Sequence, residues 1–273
     1  MFVLLGASAC STRFLYEKLD WFVVWKIGSF VTLKDDQNAE LKTGVHDHLE
    51  YVRRNDMPRI AEVLRQTSLE VEAGYVTAEM FDARYTEMLA LFDEFMLGIV
   101  PISVKFLRSL DEEQVAELFE NLEEINQEMY KEYSGRTLEE RRKNRNESSI
   151  KGIQRFTGKL KPVQRHLITD SLADMGDASE QWIEYQREWQ RRFRLLVETR
   201  PPEDEYRAEL TRLFVYPRNF HTPEYRATVD ANRLIFNDMM AELISGLTDD
   251  QRQRMAKKLA GWADGLIKLS EDA

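Results

Sequence analysis

The apolar residues of this chain recur every three or four positions, which is the spacing of one face of an α-helix. Clear runs are Phe81, Tyr85, Met88, Phe92 and Phe95; Leu118, Phe119, Leu122, Ile125, Met129, Tyr130 and Tyr133; Trp182, Tyr185, Trp189, Phe193 and Leu196; and Met255, Leu259, Trp262, Leu266 and Leu269. No segment shows the strict alternation that is typical of a half-buried strand. The pattern predicts an all-α protein, an elongated bundle of about ten amphipathic helices around a shared core, without a sheet.

Glycine and proline mark the predicted helix ends. A helix is expected from Leu138 to Phe156, ended by Gly158, and the next begins at Pro162. The other boundaries are expected at Pro58, Pro101, Pro201, Pro202, Pro217 and Pro223. Residues 10–273 are interpreted as a single helical domain with a softer joint near residues 200–203.

A short cassette, a leucine followed four positions later by a glutamine, occurs four times in the chain. The copies are Leu33 and Gln37, Leu110 and Gln114, Leu160 and Gln164, and Leu247 and Gln251. In the last copy Thr248 can cap a helix while Gln251 reaches back to the N–H of the cap, which forms a capping box. The copies are 77, 50 and 87 residues apart, which is no repeat period. The cassette therefore predicts four well-capped helices and by itself no function.

Charge is sorted along the chain, whose net charge is −10. Residues 62–128 contain 16 acidic and 4 basic residues, whereas residues 136–165 contain 10 basic and 3 acidic residues. The favoured interpretation places the acidic segment beside the basic helix within one molecule. The alternative is a basic face that binds an acidic partner, formed by Arg141, Arg142, Arg145, Lys151 and Arg155. The acidic balance argues against nucleic acid as the main partner.

The single cysteine, Cys10, follows an apolar run and the small residues 6–9. Small side chains before a cysteine are typical of the cleavage site of a bacterial lipoprotein signal, so Cys10 is predicted to carry a lipid anchor. Residues 1–9 are then a truncated signal peptide. Its basic first region is missing, which indicates a translation start further upstream. By resemblance to the sorting of enterobacterial lipoproteins, a residue other than Asp at position 11, here Ser11, implies the outer membrane.

The next segment, residues 11–31, is rich in aromatic and apolar residues. Asp20 and Lys26 interrupt it, and it is shorter than a membrane span requires. We expect its large side chains, including Trp21 and Trp25, to pack in the core. Contact of these two tryptophans with lipid headgroups is the alternative.

The sequence contains no recognisable catalytic motif, metal site or cofactor-binding motif. His46 and His48 are two positions apart and point to different sides of a helix. The segment from Gly152 to Leu160 departs from a phosphate loop in its spacing and in its last residue. No small-molecule substrate is indicated, and the protein is predicted not to be an enzyme.

Several motifs together resemble an uncharacterised family of helical lipoproteins from Gram-negative bacteria. They are the aromatic helix of Tyr16, Leu19, Asp20 and Trp21; the cassette of Leu33 and Gln37; the motif of His48, Leu49, Tyr51, Arg53, Met57 and Pro58; the motif of Arg155, Phe156, Gly158, Leu160 and Gln164; and the helix of Trp182, Arg187 and Trp189. Tyr51 and Phe156 depart from the tryptophans expected at their positions. The cassettes are also similar to those of Spy-like periplasmic chaperones, which are smaller, cradle-shaped and basic on their concave face, whereas this chain is twice as long and acidic.

The resemblance implies a location and a fold but no activity. We therefore expect a non-enzymatic envelope lipoprotein, anchored in the outer membrane on its periplasmic side, that scaffolds or binds another envelope protein. A periplasmic chaperone that holds unfolded clients is an alternative. A cytosolic helical adaptor is the third interpretation, which applies if Cys10 carries no lipid.

Overall fold

The computed structural model describes residue 16 and residues 18–271, and in this part of the chain it contains ten α-helices and no strand. The predicted all-α bundle is therefore confirmed. The helices are α1 (Leu19–Gly28), α2 (Asp35–Ala73), α3 (Ala78–Ser109), α4 (Glu112–Ser134), α5 (Leu138–Thr157), α6 (Pro162–Asp174), α7 (Ser179–Thr199), α8 (Glu203–Phe214), α9 (Pro223–Ser245) and α10 (Asp249–Glu271). A 3-10 turn, Pro217–Phe220, joins α8 to α9. Across the described ranges, none of the helices has the length and apolar character needed to cross a bilayer.

The prolines separate into two groups. Those at 162, 202, 217 and 223 lie at helix starts, as predicted. The predictions for Pro58 and Pro101 are wrong, because these residues lie inside α2 and α3. Proline removes one backbone hydrogen bond and disfavours a helix interior by about 3 kcal/mol. At Pro58, tertiary packing outweighs this penalty. Helix α2 packs along α10 and α3, and Met57, the residue before Pro58, is buried.

The interior contains two large hydrophobic clusters rather than one shared core. The first core is formed by α3, α4, α7 and α8, and its buried residues include Val104, Leu110, Phe193, Val197 and Tyr206. The second core is formed mainly by α6, α9 and α10 with the end of α2, and its buried residues include Val71, Ile168, Leu243, Ile244 and Leu259. The long helices α2 and α3 pack against each other and connect the two regions.

Two of the leucine–glutamine cassettes meet beside the first core. The Gln37 Nε2 donates to Gln114 Oε1 at 3.0 Å, and the Gln114 Nε2 donates to Gln37 Oε1 at 2.7 Å. Each amide also donates to the carbonyl just before the partner's leucine: Gln37 to Ser109 at 3.0 Å and Gln114 to Thr32 at 2.7 Å. Each Oε1 accepts the backbone N–H three residues earlier, as in the predicted capping box. We call this arrangement a glutamine lock.

The other two cassettes form a second glutamine lock beside the second core. The Gln164 Nε2 donates to Gln251 Oε1 at 2.8 Å, and the Gln251 Nε2 donates to Gln164 Oε1 at 3.0 Å. Here Gln164 donates to the Gly246 carbonyl and Gln251 to the Lys159 carbonyl, again just before the partner's leucine. The cassettes therefore act in pairs 77 and 87 residues apart, a pairing that their irregular spacing conceals.

Each lock satisfies polar groups that burial would otherwise leave without partners. The four glutamines are at most 7% exposed. An amide has two donors and one carbonyl acceptor, and in both locks each donor and each acceptor is used. The leucines Leu110, Leu160 and Leu247 are buried in the adjacent cores, and Leu33 packs against the first. The lock thus fixes two helix starts against each other at the edge of a core.

Helix α1 corrects one expectation about packing. It buries Val24 against Leu41 and Val45 of α2, as a core helix should. Trp21 and Trp25, however, are 57% and 55% exposed, and Phe22 is 49% exposed. The prediction that these large side chains lie in the core is therefore wrong, because α2 covers only one side of α1.

We expect Gln114→Ala to lower the free energy of unfolding by about 2 kcal/mol, since it leaves the buried Gln37 amide without its partner. The double variant Gln37→Ala/Gln114→Ala should lose less than the sum of the two single variants, because it removes both members of the pair. Urea unfolding followed by circular dichroism measures these differences.

The matched control is Gln127→Ala, because the Gln127 amide makes an exposed hydrogen bond to Glu123 at 3.2 Å. This control should change stability by less than about 0.5 kcal/mol. An equal effect of Gln114→Ala and Gln127→Ala would contradict the importance of the lock.

Candidate functional site

An open groove lies between α4 and α7. The two helices run antiparallel: Phe119 faces Phe193 at 5.8 Å between ring centroids, and Tyr133 faces Trp182 at 5.5 Å. The groove has a volume of about 680 Å³. Its apolar lining consists of Phe119, Leu122, Met129, Tyr130 and Ile183. It extends over about three helical turns on each side, or roughly 18 Å at 1.5 Å per residue.

The apolar face of α4 is covered only in its first half. Leu118 and Phe119 are buried in the first core. Further along the same helix, Ile125 is 42% exposed and Tyr130 is 47% exposed. The sequence pattern predicted that all these residues face a core, and for Ile125 and Tyr130 this prediction is wrong. In the second half of α4, helix α7 therefore covers the apolar face only in part, through contacts such as that of Trp182 with Tyr133.

An amide pair lies inside the groove. The Gln190 Nε2 of α7 donates to the Asn126 Oδ1 of α4 at 2.8 Å, and the Asn126 amide donates in return to Gln190 Oε1. Both side chains are partly buried. This reciprocal pair fixes the spacing of α4 and α7 midway along the groove, so that the groove is preformed.

The edge of the groove is basic although the chain is acidic. Its charged lining residues are Lys131, Arg187, Arg191 and Arg194 and the carboxylate Glu123. Two of these arginines also pair with carboxylates of α7: Arg191 with Glu188 at 2.8 Å and Arg194 with Glu198 at 2.7 Å. The guanidinium of Arg187 lies over the Tyr130 ring at 5.1 Å, and that of Arg194 lies over the Phe119 ring at 5.2 Å. These cation–π contacts hold both arginines beside the apolar lining.

Glu188 orients Arg191, another arginine at the edge of the groove. Its carboxylate accepts hydrogen bonds from Arg191 and from Arg192. These hydrogen bonds lower the pKa of Glu188 to about 2. The Glu188 carboxylate therefore stays ionised throughout the physiological range.

The five residues predicted to form a basic face fall into two groups, those that bond to neighbouring segments of the chain and those that are exposed. Arg141 donates to Asp177 at 2.8 Å, and Arg145 donates to the Leu172 carbonyl at the end of α6. Desolvation by burial raises the pKa of Asp177, but hydrogen bonds from Ser179 and Arg141 outweigh this effect and hold that pKa below its ordinary value. Arg141 and Arg145 thus attach α5 to its neighbours, whereas the exposed side chains are Arg142, Lys151 and Arg155.

The basic helix does not have the acidic helices as its main neighbours. Helix α5 packs against α6 and α10, and α4 packs against α7. The contact of α5 with α10 includes Phe156 and Trp262, whose rings meet edge to face at 5.0 Å. Both segments nevertheless contribute to the second core, with Phe81 from the acidic segment and Ile153 from the basic one. The favoured interpretation, an acidic segment lying beside the basic helix, therefore stays a prediction.

The histidine motif belongs to the packing of α2 against α3. His48 is 8% exposed and contacts the Phe95 ring at 4.9 Å between centroids. Gly98 allows this contact, because a Cβ there would lie 2.2 Å from His48 Cε1. Burial lowers the pKa of His48, so the ring is neutral. Among the described residues there is no group of three or more histidine, cysteine, aspartate or glutamate side chains that could hold a metal ion.

Of the other predicted sites, Cys10 and the signal segment 1–9 lie outside the described residues. The cassettes lie in the two locks. The groove itself was missed from the sequence, although one signal was present: the apolar stripe of α4 continues to Tyr133, longer than one core contact requires, and carries Asn126 in its middle.

Fold and groove together define an all-α helical bundle with a preformed, arginine-edged groove. The chain belongs to the family described as a family of unknown function (DUF6279), whose model matches residues 29–226. This match includes the first lock and both helices of the groove. The comparison with curated proteins gave no match, and neither did the comparison with solved structures.

Proposed function

We propose that this protein is a non-enzymatic lipoprotein of the Gram-negative cell envelope that binds a partner protein through the groove between α4 and α7. The observation that carries the binding role is the preformed apolar groove with a basic edge. The lipid anchor on Cys10, and with it a position on the periplasmic side of the outer membrane, rests on the sequence around that cysteine.

The occupant that fits the groove is an amphipathic helix with acidic flanks. An open groove about 18 Å long, between two antiparallel helices, accommodates a helix of about twelve residues, with its apolar side inward. The four basic side chains at the edge then face the flanks of that helix, where carboxylates complement them. An extended or unfolded client would gain little from such a regular, preformed shape.

A pair of synthetic helical peptides tests this proposal. Both carry the same leucine stripe over three turns, one with glutamate flanks and the other with lysine flanks. We expect the acidic peptide to bind, and Arg187→Glu to weaken its binding by about tenfold or more, because the variant reverses a charge at the edge. Ile183→Gln should weaken it as well, because Ile183 belongs to the apolar lining. Fluorescence anisotropy of labelled peptides measures the affinities.

The matched control is Arg207→Glu, since Arg207 is an exposed arginine of α8 that pairs with Glu203 at 2.9 Å. It should leave the affinity unchanged. Added salt should weaken binding of the acidic peptide, because it screens the charges at the edge of the groove. Equal binding of the two peptides, or stronger binding of a reduced and carboxymethylated unfolded protein, would overturn the proposal; the second result would favour the chaperone alternative.

The anchor is tested separately. The complete gene, expressed in a Gram-negative host that is fed a radiolabelled fatty acid, should give a labelled protein that fractionates with membranes, because several acyl chains anchor a protein stably. Cys10→Ala should give an unlabelled and uncleaved precursor, since the chain has no other cysteine. An unlabelled wild-type protein in the soluble fraction would contradict the anchor and favour the cytosolic adaptor.

A further inference from the structure

Helix α1 is apolar on nearly all sides, yet only one side is covered. Val24 packs against Leu41 and Val45 of α2. On the outer side Trp21, Phe22 and Trp25 are each about half exposed. A helix that is apolar all round is normally buried in a protein or in lipid. The exposed side of α1 is therefore expected to contact a second apolar environment, in addition to α2.

The three rings form one continuous patch, which we call the aromatic face. Trp21 stacks on Trp25 with 6.2 Å between ring centroids, and Phe22 contacts Trp25 at 5.7 Å. Rings held together in this way present a flat apolar area instead of scattered single residues. Tryptophan is the residue that best suits a membrane interface, because its ring is apolar and its N–H can remain in contact with water.

Basic side chains accompany the aromatic face. Lys18 precedes α1, Lys26 lies on α1 and Lys42 lies on α2, and all three are exposed. Lys42 lines the same shallow depression as Trp21 and Trp25. The nearby carboxylate of Asp20 is turned to His46, 3.7 Å away, and its side chain is only 17% exposed. Lysines beside tryptophans, in a chain of net charge −10, complement the phosphates of anionic lipids.

The chain before α1 is too short to separate this face from an anchor at Cys10. The Tyr16 hydroxyl donates to the Leu49 carbonyl at 2.5 Å, and its ring is buried beside Met57 and Leu269. Five residues lie between Cys10 and Tyr16, and the six Cα–Cα steps from one to the other span at most about 20 Å when extended. A lipid on Cys10 would therefore hold the start of α1 close to the bilayer.

We propose that the aromatic face seats in the interfacial layer of a bilayer that contains anionic lipid, with Trp21, Phe22 and Trp25 among the headgroups and the three lysines at the phosphates. This inference extends the proposed anchor and rests on it for the orientation of the molecule. The face adds a second, non-covalent contact, so the protein lies against the membrane in a defined orientation and does not swing on a flexible tether.

The test uses the full chain with Cys10→Ala, which carries no lipid, and vesicles of three parts phosphatidylethanolamine to one part phosphatidylglycerol. We expect the protein to float with these vesicles and brominated lipid to quench its tryptophan fluorescence. Trp21→Ser/Trp25→Ser should lower the partition coefficient by about tenfold or more, because it removes two large apolar side chains from the interface. Lys18→Glu/Lys26→Glu should lower it as well, and most strongly at low salt.

The matched control is Tyr75→Ser/Leu234→Ser, which removes two large side chains that are 70% and 57% exposed on other elements. It should bind vesicles as the parent chain does. Circular dichroism confirms that each variant is folded.

Three results would overturn the inference: no flotation of the parent chain, flotation that is unaffected by Trp21→Ser/Trp25→Ser, or a dimer in solution that the same variant dissociates, which would identify a second copy as the occupant. Since the protein in this assay has no acyl chain, a negative result leaves the anchor on Cys10 to be decided by fatty-acid labelling alone.

Discussion

The fold depends on a side-chain amide that serves two purposes. In each lock a glutamine Oε1 caps its own helix, and the Nε2 of the same group binds the partner cassette and the carbonyl before it. One buried group thereby couples the start of a helix to a distant part of the chain. Two such locks, one beside each core, determine how α2 meets α4 and how α6 meets α10. Because an unsatisfied buried amide is costly, other arrangements of these helices are disfavoured.

Two apolar surfaces lie outside the two cores and the locks beside them, and both are accessible to other molecules. The groove runs along α4 and α7 from Phe119, at the edge of the first core, to Tyr130, and the Asn126–Gln190 pair fixes the spacing of the two helices. Helix α1 uses one side to pack on α2 and leaves Trp21 and Trp25 outside. The two surfaces differ in chemistry: the groove is bordered mainly by arginines that stack on aromatic rings, and the aromatic face is accompanied by lysines. We infer that the first suits a protein helix and the second a lipid surface.

Much of the local structure could be predicted from the sequence, because helix starts depend on neighbouring residues. The helix predicted for residues 138–156 is observed as Leu138–Thr157, and the capping role of Gln114 and Gln251 is confirmed. Long-range consequences could not be predicted in the same way. Pro58 lies inside a helix because α10 and α3 support α2, and the pairing of Gln37 with Gln114 depends on a contact 77 residues away. Trp21 is likewise exposed because α2 packs on only one side of α1. The local sequence pattern does not show which side that is.

Hydrogen exchange of the glutamine side-chain amides tests the central claim most directly. Nuclear magnetic resonance can follow the Nε2 protons of Gln37, Gln114, Gln164 and Gln251 in the folded protein, with the exposed Gln127 as the internal reference. The account predicts that all four buried amides exchange far more slowly than that of Gln127, because each is enclosed and hydrogen-bonded to its partner. Exchange of the four amides as fast as that of Gln127 would show that the locks are open in solution, and would contradict the account.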